Sequence, residues 1–125
     1  MKALPSKVRQ AWKERAQPSV LGSIDEDGTP NLIWVTCTAL LEDGRFAIAD
    51  NYFSKTRANI QRGSKGSLLF RTKDDEAYQV KGTFEYHDSG KIFDEMKCWN
   101  HPGLPGNAVA VLTLEEVYSG AEKLS

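Results

Sequence analysis

Two Asp-Gly turns, DEDG at 25–28 and LEDGR at 41–45, constrain this chain more than any other feature. Asp-Gly between short β-rich runs is a hairpin signal, because glycine readily takes the positive φ that a tight turn demands. Each turn therefore joins antiparallel neighbours, and the result is a meander rather than a βαβ repeat. No glycine-rich dinucleotide loop follows any strand, which excludes a Rossmann unit.

Around these turns the apolar pattern predicts strands over residues 19–24, 30–39, 46–49, 66–71, 77–87 and 108–114. The 77–87 strand alternates cleanly, with Tyr78, Val80, Phe84 and Tyr86 on one face. Leu4, Val8, Ala11 and Trp12 recur at helical spacing and predict a helix over 6–16. Ser54 can cap a second helix over 54–62 that stops at Gly63, and Ser89 a third over 89–98; the residues after 114 trail off. Six antiparallel strands of this length lose their exposed edges by closing, so a mainly β fold with three helices and a small barrel is expected. At 125 residues the chain suits one domain over 1–125.

Several function classes drop out. No apolar run is long enough to span a bilayer, and the N-terminus lacks the apolar centre of a signal peptide, so no membrane association and a cytoplasmic location are expected. Net charge is −1 with Lys and Arg dispersed, which argues against a nucleic-acid partner. The two cysteines form neither a disulfide framework nor a zinc site. Asp50, Asp74, Asp75 and Glu76 have no suitably spaced histidine, so no metal site is expected. Cys37 has no partner in His87 or His101, so no catalytic side chain is assigned.

One stretch carries chemistry. Ser54, Lys55 and Thr56 open the second helix, where unpaired N–H groups and the helix dipole suit an anion. An ordinary capped, solvated turn is the competing account, but dipole logic favours acids there and this helix opens with Lys55 and Arg57. The run Val35–Thr36–Cys37–Thr38 at a strand end is compatible with plain β-propensity. Trp99 stands beside a Pro/Gly loop, a setting for a lid or a subunit contact as much as for a core anchor.

The order of the pieces, from the PNLIWV strand through SKTRANI and KGTFEY to the final AVAVLTLEEVY, resembles the FMN-binding split barrel of pyridoxamine 5′-phosphate oxidase and its relatives. It is similar above all to small bacterial FMN-binding proteins of that fold. The resemblance implies a six-stranded antiparallel split barrel in which Lys55 and Thr56 hold the FMN phosphate, with Ser54 and Asn59 nearby. Val35, Thr36, Cys37 and Thr38 would run along the isoalloxazine, and Ala49, Asp50 and Asn51 would line the ribityl side. It further implies a homodimer with FMN between subunits, completed by Gln79 and Trp99 of the second copy. The implied function is that of a small FMN-dependent oxidoreductase or electron-transfer protein, served by NAD(P)H or a protein redox partner. The alternative is a flavin- or deazaflavin-binding, stress-related barrel without turnover. Residues 115–125 carry no arginine- and histidine-bearing segment of the sort that binds pyridoxamine phosphate, so that substrate is not expected.

Overall fold

The structure, a computed structural model, describes residues 2–125. Helix α1 (Ser6–Lys13) precedes β1 (Ser19–Ile24), β2 (Pro30–Val35), β3 (Thr38–Leu40) and β4 (Phe46–Asp50). Then come α2 (Lys55–Gln61), β5 (Lys65–Arg71), β6 (Ala77–His87), α3 (Lys91–Trp99), β7 (Ala108–Ser119) and β8 (Glu122–Lys123). Every strand pairing is antiparallel, and the two Asp-Gly turns form the β1–β2 and β3–β4 hairpins.

The strands lie in the order β2-β1-β5-β6-β7-β4-β3, with β8 added on β7. The two edge strands, β2 and β3, are consecutive in the chain and separated only by Thr36 and Cys37. Seven strands laid flat would hold those edges about 29 Å apart. Three residue steps from Val35 to Thr38 reach about 11 Å at most. The sheet therefore has to curl until its edges meet, and the seam of this split barrel falls at Thr36 and Cys37.

That closure corrects the expected strand over 30–39, which breaks in two where the chain passes from one edge to the other. The expected six strands become seven along the sheet, plus the short β8. The tail does not trail off: β7 continues to Ser119, the chain turns at Gly120, and β8 pairs back on Tyr118 and Ser119. Two helix starts also differ. Gly90, not Ser89, stands at the N-terminus of α3, and Ser54 makes no side-chain capping bond to α2. Helix α1 stops at Lys13 rather than 16, because Arg15 bridges to Thr72 and the Ala16 N–H donates to the Arg71 carbonyl.

The barrel interior is aromatic. Trp12, carried in by the apolar stripe of α1, meets Phe46 and Phe70 edge-on at centroid distances of 4.9 and 5.0 Å. Such pairs add about 0.5–1.5 kcal/mol beyond the area they bury. A smaller cluster of Ala47, Ala49, Met96, Val109 and Val111 lies between β4, β7 and α3, so β4 is buried on both faces. At the bulge where β6 meets β7, a Cβ on Gly82 would stand 1.8 Å from the Thr113 carbonyl oxygen; only glycine fits there. No helix among the described residues is long and apolar enough to cross a membrane.

Candidate functional site

A groove of about 540 Å³ opens along the barrel seam, within the roughly 300–1,000 Å³ usual for ligand sites. The end of β2, the Thr36–Cys37 link, the end of β4 and the first turn of α2 form its walls. Of the residues expected at a site, Val35, Thr36, Cys37, Ala49, Asn51, Ser54, Lys55 and Thr56 line it. Val35 and Asn51 stand sixteen positions apart in sequence, and the antiparallel β3–β4 register, which continues past Thr38 and Ile48 with the Ala49 N–H donating to the Cys37 carbonyl at 3.0 Å, runs toward both.

The donor set differs from end to end. Because Ser54 does not cap its own helix, the hydroxyl and the first-turn N–H groups remain unspent there. Lys55 is 72% exposed in its side chain, and its ammonium stands 3.4 Å from an Asp25 carboxylate oxygen. A pair so exposed contributes about 0–1 kcal/mol and gives way readily to a stronger anion. Thr56 is buried, and its hydroxyl accepts from Asn31 Nδ2 at 3.1 Å. At the opposite end, Thr36 and Cys37 lie outside either strand ladder, and among the described residues their N–H groups have no backbone partner.

The other expected residues lie elsewhere in the chain. Asp50, fully buried, faces away from the groove into a closed cluster. Arg57 grips its carboxylate through Nε at 2.7 Å and Nη2 at 3.0 Å, while the Tyr86 hydroxyl donates at 2.5 Å and the Phe53 N–H at 3.0 Å. The carboxylate holds the Arg57 guanidinium well above its usual pKa. Burial, and then the bond donated to Asp50, push the Tyr86 phenol up to about 12.

Asn59 is buried and ties α2 to the barrel, donating to Ser23 Oγ at 3.0 Å and Asp25 Oδ1 at 2.8 Å. Thr38 accepts from Arg15 Nη2 at 3.4 Å on the far side of the seam. Gln79 lies on the outer sheet face, where its Oε1 accepts from Ser67 Oγ at 2.6 Å. Trp99 packs in its own chain against the small cluster that includes Ala49.

The groove also contains residues that sequence reasoning missed: Asn31, Ile33, Trp34, Tyr52, Phe53 and Leu104. Period-two alternation back from Val35 would have found Ile33 and Asn31. Leu104 had no local signal, since it arrives on the loop after α3. Among the described residues no three His, Cys, Asp or Glu side chains gather as a metal site.

Comparison with known proteins agrees with this architecture. The family model for pyridoxamine 5′-phosphate oxidase matches residues 4–120. An uncharacterised protein of Methanocaldococcus jannaschii is 33% identical over 104 residues, covering 79% of this chain and 70% of its own. A putative pyridoxamine 5′-phosphate oxidase from Lactobacillus delbrueckii superposes with a TM-score of 0.78 at 22% identity, over 94% of each chain. An FMN-binding protein from Syntrophomonas wolfei does so at 0.76 and 19% identity, over 95% of this chain and 84% of its own. The fold is the split barrel, and the chain belongs to the pyridoxamine 5′-phosphate oxidase family.

Proposed function

We propose that this protein is an FMN-binding flavoprotein that acts as a homodimer in oxidoreduction or electron transfer. The observation that carries the proposal is the two-ended groove, with an apolar slot and the free amides of the Thr36–Cys37 link at one end and an uncapped hydroxyl- and ammonium-bearing turn at the other. A flavin mononucleotide requires that arrangement: a clamp for its dianion, a slot for its ring and donors at the pyrimidine edge. Lys55, Ser54 and Thr56 would hold the phosphate by charge-assisted bonds, and the Thr36 and Cys37 amides would orient the ring. Bound flavin would supply the redox chemistry, so the protein needs no acid–base side chain of its own. The neighbour named as FMN-binding supports the same ligand.

The dimer rests on the outer sheet face. Leu32 and Trp34 of β2 are 69% and 72% exposed, with Ile24 and Leu69 on the same sheet face, and Tyr52, 77% exposed, follows β4; this is much apolar surface to leave in water. Trp34 and Tyr52 also border the groove, so a second copy seated on that face would complete its wall. Gln79, in register with Leu69 on the same face, is the partner residue this arrangement favours.

The visible spectrum of the purified protein, before and after adding FMN, tests the ligand. A yellow, stoichiometric complex is expected; protein that stays colourless with excess FMN refutes the proposal. Sedimentation should give a dimer. Adding NADH or NADPH to the loaded protein then separates a nicotinamide-driven reductase, which bleaches, from a protein served by another donor.

A further inference from the structure

Among the described residues, Leu104 is the one groove residue drawn from outside the 31–56 stretch, and its loop is held by several hydrogen bonds. Asn51 and the buried Asn100 exchange amide bonds, Nδ2 to Oδ1 at 3.1 Å and 2.8 Å. Asn51 Oδ1 also accepts the Gly106 N–H at 2.9 Å, and the Asn107 N–H donates to the Asp50 carbonyl at 2.9 Å. Lys97 Nζ donates to the Pro105 carbonyl at 2.9 Å. Gly106, at φ +52, packs so closely that a Cβ there would come within 3.0 Å of both Asn100 Nδ2 and Lys97 Nζ. The loop over 100–107 is thus pinned at both ends to the tip of β4, and Pro102 and Pro105 stiffen the span that carries Leu104.

A loop pinned in this way presents one apolar side chain to the groove. A phosphate or a polyol offers Leu104 little apolar surface to cover, whereas the ring of a flavin does. We propose that Leu104 is a ring-contacting, specificity-determining residue, and that the Asn51–Asn100 clasp exists to position it. The proposal rests on the flavin assignment above. It adds that one wall of the ring slot comes from the same chain's α3–β7 loop, so the groove selects its ligand by an apolar ring as well as by an anionic tail.

FMN and riboflavin share the ring and differ in the phosphate, so titrating both separates the two ends of the groove. Leu104→Asp should weaken both ligands in parallel by about tenfold, the loss expected for one buried leucine. Leu104→Ala should do the same to a smaller extent and blur the vibronic structure of the 450 nm band, because water reaches the ring. Leu104→Met should restore affinity and band shape. Circular dichroism of each variant confirms that it is folded. Wild-type protein that binds neither flavin overturns the flavin assignment and this inference with it. Wild-type protein that binds FMN, with all three variants unchanged or with a loss confined to FMN, overturns the role of Leu104 alone.

Discussion

Asp50 and Asn51 are neighbours at the end of β4, and strand alternation sends them to opposite sides of the wall. Asp50 enters a closed cluster in which its two carboxylate oxygens meet Arg57, Tyr86 and the Phe53 amide. Asn51, its own amide engaged with Asn100 and Gly106, borders a groove whose other polar groups, at Ser54 and at the Thr36 and Cys37 amides, are left without protein partners. Buried polar atoms that are fully satisfied hold a fold in one arrangement. Polar atoms with capacity to spare are available to a ligand. The two regions lie one residue apart, and the difference separates what stabilises this barrel from what it offers to bind.

The largest effect should come from the closed side. Asp50→Ala leaves the Arg57 cation and the Tyr86 hydroxyl without their acceptor, so urea unfolding should show a loss of about 3–4 kcal/mol. Wild-type stability in that variant would dissolve the distinction. On the open side, Lys55→Ala should cost FMN affinity about 1.5–3 kcal/mol, the range for a bond to a charged group. Riboflavin binding and the urea midpoint should stay where they are; a fall in stability instead would move Lys55 into the structural class.

Smaller effects sharpen the contrast. Tyr86→Phe removes one hydrogen bond from the cluster and should cost about 1 kcal/mol near neutral pH, read from the same unfolding curve. The phenol's folded pKa is raised above its unfolded value, to about 12. Its contribution is therefore complete below about pH 10 and lost as pH rises through about 12. The alkaline decline in thermal stability over that window should be shallower in Tyr86→Phe, and an identical decline would show that another group governs it.

How much of this was legible beforehand depends on the range of the interaction. Both Asp-Gly turns, the alternation of β6 and the apolar stripe of α1 are short-range patterns, and the structure contains the elements they predict. Ser54, Lys55 and Thr56 could be singled out because three consecutive residues at a helix start carry their signal locally. The family resemblance implies Asp50 on the ribityl side, and nothing nearby in sequence reveals that Tyr86 lies against it. The family resemblance implies Asn59 near the phosphate, and nothing local in the sequence reveals that its amide binds Ser23 and Asp25, of β1 and the turn after it. The expected single strand over 30–39 hid the seam, since Thr36 and Cys37 have ordinary strand propensity.

The sequence by itself determined the antiparallel order of neighbouring hairpins, the apolar stripe of α1 and the cationic turn at 54–56, because turn chemistry and side-chain periodicity act over a few residues. Only the tertiary structure decided where the sheet closes, which face of β4 looks into the groove, and that Leu104 reaches it. Those outcomes depend on pairings between residues dozens of positions apart, where edge strands must meet and a loop must dock, and no local pattern encodes them.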